Sequence, residues 1–301
     1  MAADAHNPLS PVELVSHVKD APYFHFPRAF TSEGAKGHVD LPALVSEPIA
    51  EFKTDFLEPF DLQITKFMIL EVVAAVIVVL LFVVLASRIK GGSLPKGRLW
   101  NALEAILVYI RDQVARPAIG HDADKFLPFL WTVFFFVLGC NLLGMVPWMG
   151  SPTGALACTG TLAFATFFVV CKAGIKEMGP VGFLKAQVPH MDLPFPMDLM
   201  IKPMVFAIEL MGMLIKHFVL AVRLLANMVA GHIVLGVLVA FVLVVFQAVD
   251  TYASGLFWSV STASVLGAVA LSLLELFVAF LQAYIFTFLS ALFIGAAVHP
   301  H

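Results

Sequence analysis

Arg223 stands in the apolar run Leu220-Ala221-Val222-Arg223-Leu224-Leu225-Ala226-Asn227-Met228, with no acidic residue within a helical turn. A guanidinium stays charged at any physiological pH. In the middle of a membrane helix an Arg costs about 2.5–3.5 kcal/mol on insertion scales. A chain that carries that cost uses a fixed positive charge where water is scarce. Glu209 and Lys216 precede Arg223 at intervals of seven residues. At about 100° per residue, all three fall within an arc of about 40° on one helix face. Asn227 joins that face one turn on, and Ala226 and Ala230 border it. Small side chains there admit the close approach of another backbone. The stripe is either a set of ion pairs holding helices together or a working polar face. Lys216 has a further reading, because its long stem can snorkel to the membrane boundary.

His232 lies nine residues after Arg223 and faces a different neighbour, about 180° away. Glu275 is the intramembrane acid of the final apolar segment, and Gln282 follows it at i+7 on the same face, with Thr287 and Ser290 beyond. An acid at that depth needs a partner or water. His232 is the nearest candidate if the last two segments form a hairpin. Such a pair can exchange protons near neutral pH or serve purely as a structural contact. Asn141, near the end of the second apolar span, is read as a packing hydrogen bond or a channel group. Lys66 and Glu71 read as boundary anchors or a partner contact. His190, Asp192 and Asp198 read as solvated loop residues. No phosphate loop, metal constellation or nucleophile–His–acid set is present, so no cofactor, metal or hydrolytic site is expected.

The elements that position these residues follow from composition. The 301 residues are 60% hydrophobic and only 13% charged, against about 25% charged in soluble domains. Continuous apolar runs longer than about 18 residues indicate membrane helices rather than a barrel. The net charge of −3 gives no electrostatic case for nucleic acid. Cys140, Cys158 and Cys171 sit in apolar segments and read as small hydrophobes. No cleavable signal peptide is expected, since the first apolar run begins near Ile64. Residues 1–62 form a polar, acidic amino-terminal segment, and 63–301 form the membrane domain.

Spans are predicted at 64–87, 126–146 and 156–175, with an amphipathic interfacial helix over 99–118. Two longer segments follow, at 196–249 and 256–298. At 1.5 Å per residue these run about 60–70 Å, twice a hydrocarbon core of about 30 Å. Ordinary tilt does not absorb that excess. The fold class is therefore all-α polytopic: five crossing helices and one surface helix, the last two crossings forming a long, steeply tilted hairpin. Gly231 and Gly236 are candidate bend points. Basic residues cluster after the first span (Arg88, Lys90, Lys96, Arg98) and after the third (Lys172, Lys176, Lys185, Lys202). The positive-inside rule puts these in the cytoplasm, with the amino-terminal segment and the 147–152 turn outside and the carboxyl terminus cytoplasmic.

Arg223 to His232, reading Arg-Leu-x-x-Asn-Met-x-Ala-Gly-His, resembles the signature of subunit a of F-type ATP synthases. Leu281-Gln282-Ala283-Tyr284-Ile285-Phe286-Thr287 behind Glu275, and Asn141-Leu142-Leu143-Gly144-Met145-Val146-Pro147, resemble two further patterns of that family. The resemblance spans roughly residues 60–298. It implies the stator half of a membrane motor, working in a bacterial inner membrane. The implied partners are a c-subunit ring, the b-subunit peripheral stalk and the other synthase subunits. The implied chemistry is proton passage, with no catalysis by the chain itself. Arg223 matches the residue that faces the ring, and Glu209 an acid on the cytoplasmic path. Asn227 and Gln282 match polar groups flanking the Arg. His232 and Glu275 match an outer-side pair that is exchanged in some members. Ala155 and Ala157 stand where members often carry Asp and Asn. Two other readings remain open: a secondary transporter binding an anionic substrate at Arg223, and a non-translocating scaffold.

Overall fold

The computed structural model describes residues 23–25, 38–40, 50–54, 57–62, 65–89, 97–146, 150–186, 197–248 and 255–299. Most of the amino-terminal segment, the basic stretch 90–96, the turn centre 147–149, and His190 and Asp192 lie outside them, as do the side chains of Lys185 and Asp198. In the amino-terminal segment, β1 (Tyr23–His25) pairs antiparallel with β2 (His38–Asp40), and β3 (Ala50–Thr54) with β4 (Leu57–Leu62). Every other long element is helical. Lipid offers no hydrogen bonds, so a spanning backbone satisfies its own polar groups as helix. The chain is an all-α polytopic membrane protein with five helices long and apolar enough to cross a membrane.

Helix α1 (Lys66–Ile89) is an uninterrupted apolar run ending at Arg88. Its packed face begins with Phe67, Leu70 and Ala74, while Val72, Val73 and Val76 are exposed. The surface helix α2 (Arg98–Tyr109) differs from the single helix predicted over 99–118. It passes into a π-helical turn (Ile110–Ala115) and a last short turn (Arg116–Ile119). The π turn admits an extra residue, and Ile110, Val114, Ala115 and Ile119 all pack inward. Asp112 pairs with Arg116 at 2.9 Å, and Arg111 with Asp124 at 3.2 Å, on the polar side.

Helix α3 (Ala123–Gly144) carries Pro128 near its start. Trp131 Nε1 donates to the Leu107 carbonyl at 3.2 Å, fixing α3 against α2. Helix α4 (Leu156–Ala186) runs past the predicted end at 175, so Lys176 lies on helix rather than loop. It leaves helical geometry only at Gly179 (φ 73), before Pro180. Helix α5 (Met197–Ala248) has 52 residues and α6 (Gly255–Val298) has 44. Both run without a break in helix, α5 through Gly231 and Gly236 as well. Their lengths, about 78 and 66 Å at 1.5 Å per residue, demand strong tilt or extension beyond the bilayer wherever they cross it.

The chain divides into two compact units. One takes Met1–Ile77, Leu138–Ala155 and Leu225–Phe280; the other takes Val78–Val137, Leu156–Leu224 and Leu281–His301. In the first unit α5 and α6 run antiparallel, Gly231 lying against Glu275 and Leu238 against Gly267. In the second, the core face of α6 is built from small residues. Ala283, Ser290, Ala291 and Ala297 are buried with Phe286 and Ile294, a composition that lets helices approach closely. At Gly295 an added Cβ would collide with the Ala118 carbonyl oxygen. Backbone cannot swing aside as a side chain does. Gly295→Val is therefore expected to cost about 1–3 kcal/mol or more of stability. A lowered melting midpoint of the detergent-solubilised protein would read it; an unchanged midpoint would contradict the packing.

Candidate functional site

In the first unit the titratable pair is His232 on α5 and Glu275 on α6. His232 Nδ1 lies 3.9 Å from Glu275 Oε1, and both side chains are largely buried. That distance exceeds a hydrogen bond and suits a charge contact or a bridge through one water. His232 Nε2 and Glu275 Oε1 have no hydrogen-bond partner among the described residues. Gly231 makes the approach possible: a Cβ there would sit 2.7 Å from Glu275 Oε1. The residue considered as a bend point instead makes room for the carboxylate.

One turn along α6 from Glu275, the Ala279 carbonyl accepts a hydrogen bond from Asn141 Nδ2 at 3.3 Å. Asn141 is fully buried. Thr153 Oγ1 donates to Asn141 Oδ1 at 2.9 Å, and the Ser151 and Thr153 hydroxyls lie 2.8 Å apart. Ser151 and Thr153 are buried as well. A chain of neutral polar groups thus runs from the turn before α4 to the α6 backbone beside Glu275. Asn141 belongs to this chain by position. Neither Ser151 nor Thr153 stands out in the sequence. Their signal is faint, because Ser and Thr in a turn are ordinary turn residues.

In the second unit, α5 presents Glu209, Lys216 and Arg223. Lys216 Nζ lies 3.8 Å from Glu209 Oε1, and both side chains are about half exposed. The two charges pair along their own helix rather than bridging to another. Arg223 is exposed and makes no ion pair or hydrogen bond among the described residues. Ala226 and Ala230 are exposed too, and Asn227 is half-buried. The opposing stripe, His217, Leu220, Ala221 and Leu224, is buried. Its period is readable in the sequence, and His217 falls on it. Its ring sits between Phe167 and Phe293, at 5.2 and 4.9 Å, with Nδ1 2.9 Å from the Met213 carbonyl. On α6, Gln282 is buried with Nε2 unpartnered. Among the described residues no group of His, Cys, Asp or Glu is placed to hold a metal.

Among the described residues Arg223 stands without an ion pair on an exposed stretch of α5, His232 and Glu275 face each other on a buried one, and hydroxyl and amide groups able to orient water lie beside that pair. Comparison with known proteins gives a consistent picture. The family model described as ATP synthase A chain matches residues 68–295. ATP synthase subunit a of Myxococcus xanthus is 40% identical over 245 residues, covering 80% of this chain and 76% of the relative. ATP synthase subunit a of Chloroherpeton thalassium is 40% identical over 242 residues, covering 79% and 68%. ATP synthase subunit a 2 of Chlorobaculum tepidum is 39% identical over 258 residues, covering 83% and 68%.

Proposed function

The chain belongs to the ATP synthase A chain family, and on that premise we propose that it is the stator of the Fo motor, shaping two offset proton half-paths against a rotating ring of c subunits. Membership of the F-type ATP synthase supports ATP synthesis and ion transport as its setting. The half-paths, the ring contact, the b-subunit stalk and the bacterial inner membrane are the finer reading. So are an acidic segment outside, a cytoplasmic carboxyl terminus and a chain that catalyses nothing alone.

The carrying observation is the contrast on α5. Arg223 is exposed and unpaired on a face opened by Ala226 and Ala230, while His232 is turned inward onto Glu275. A charge confined to a membrane helix with no partner of its own is complementary to an acid on another subunit. In the proposed cycle, protons arrive from outside past Asn141 and the His232–Glu275 pair, with Gln282 and Asn227 toward the ring. A ring carboxyl takes the proton, travels round, and meets Arg223. The guanidinium favours the carboxylate, so the proton leaves, past Glu209 to the cytoplasm. The same charge opposes a proton crossing directly between the half-paths. A potential of about 100 mV supplies about 2.3 kcal/mol per charge and gives rotation its direction. Lys216 lies 3.8 Å from Glu209 on that exit path.

A transporter that binds an anion at Arg223 is less well supported, since such sites sit at broken helix ends and α5 and α6 are continuous. Photo-cross-linking tests the reading. A photoactivatable group attached to Cys placed at Ala226 or Ala230 is expected to capture a small, acid-bearing hairpin protein present in many copies. A chain purified without such a ring and uncaptured at both positions would overturn it. Within the same scheme, Gly231→Ala is expected to lower proton-driven ATP synthesis several-fold by displacing the Glu275 carboxylate. Full activity in that variant would show that the carboxylate has room to move.

A further inference from the structure

Glu71 lies on α1, a helix that is otherwise apolar through the membrane. It follows Leu70 and stands one turn beyond Phe67, at the edge of the packed face rather than among the exposed valines. Its side chain is half-buried. A carboxyl at that depth must be hydrated, protonated or paired. It has no ion pair or hydrogen bond among the described residues. It does interact electrostatically with the thiol of Cys140, the neighbour of Asn141. The start of α1 lies against the same cluster from another side. A Cβ on Gly150 would stand 3.0 Å from the Phe67 ring and 3.8 Å from Lys66 Cε, and Gly150 precedes Ser151.

The first unit therefore holds a linked set of Asn141 with the Thr153 and Ser151 hydroxyls, then Ala279 and, a turn on, Glu275 with His232, and Glu71 stands one turn from Phe67, which packs on Gly150 at the edge of that set. Asn, Ser and Thr orient water but do not store a proton near neutral pH. Ala155 and Ala157 add no titratable group. A carboxyl both accepts and releases a proton in the working range. We propose that Glu71 is a proton-collecting carboxyl at the mouth of the path that leads through Asn141 to the His232–Glu275 pair. This role rests on the half-path reading above. Glu71 takes a proton from outside water and passes it to water held at the Asn141 cluster, returning to the carboxylate, so no net change accumulates on it.

The test uses the whole synthase in proteoliposomes, with ATP synthesis driven by an imposed gradient while the proton concentration on the outer side is varied. Glu71→Gln is expected to raise the concentration needed for half-maximal rate about tenfold, less than the roughly 100-fold or more of a lost acid–base group, because outer water still reaches the Asn141 cluster. The rate at saturating acid is expected to stay near that of the unaltered complex, and Glu71→Asp to restore the original dependence. A Glu71→Gln complex indistinguishable from the unaltered one at every concentration overturns the proposal and leaves Glu71 a boundary residue. Should the Gln variant not assemble, Glu71→His decides. The midpoint moves with the ionisation of the new group if Glu71 collects protons, and stays put if its role is only structural. Arg223→Ala measured in parallel separates the two layers. If it retains full synthesis, the half-path reading fails; if it is inactive while Glu71→Gln is normal, the role of Glu71 alone fails.

Discussion

Arg223→Ala is expected to reduce proton-driven ATP synthesis to less than about one hundredth and to abolish ATP-driven proton pumping. The reason is electrostatic. An opposite charge within a few ångströms lowers a carboxyl pKa by about 1–3, a change of about 10- to 1000-fold in the ratio of carboxylate to protonated acid. Without it, a ring carboxyl passing the stator keeps its proton and the ring has no preferred release point. The barrier between the half-paths weakens at the same time, so passive proton leak is expected to rise. Arg223→Lys keeps a charge but loses the planar donor array and is able to deprotonate in an apolar setting, so severe loss is expected there too. Arg223 has no partner among the described residues whose loss would unfold the chain, and the Ala variant is expected to assemble. ATP-driven acidification by intact variant complexes reads this directly, and normal pumping by Arg223→Ala would sink the proposed function.

The second large effect falls on the buried pair. Glu275→Gln is expected to lower proton-driven synthesis about 100-fold or more, the scale of a lost acid–base group, and His232→Ala to act in the same direction. The geometry makes a sharper expectation for the exchanged double variant, His232→Glu with Glu275→His. The two side chains face each other at 3.9 Å with unpartnered atoms on both. An acid and a base are then present whichever helix supplies which. The exchange is expected to recover at least about one tenth of the original rate, while either single exchange leaves two like groups and recovers little. A double variant no better than the singles would show that the pair acts through its particular packing. Gly231 is the residue most exposed to that risk, since the carboxylate lies where its Cβ would be.

Much of the architecture was legible because one constraint dominates it. Lipid forces the backbone into helices, so the apolar runs of α1, α3, α4, α5 and α6 are close to the spans that hydropathy predicts. The differences have local causes. α4 carries lysines on a helix that continues past the apolar run. The surface helix takes up a π turn to bring Ile110, Val114, Ala115 and Ile119 inward. The single-helix face of Arg223, and its separation by half a turn from His232, were also legible, because the helical period relates residues within one element.

What the sequence determined by itself is therefore the element type, the long last two helices, the family signature, and which residues share a face with Arg223. What only the tertiary structure decided is which atoms meet across helices. Asn141 reaches the Ala279 carbonyl across 138 positions of chain. Thr153 and Ser151 complete that contact from a turn. Gly231 yields its space to Glu275, and Lys216 bends back to Glu209 rather than to a neighbouring helix. The physical reason is the range of each signal. Hydrophobic period reports depth and face along one helix, whereas a proton path depends on distances of a few ångströms between helices, set by how side chains of different elements interlock.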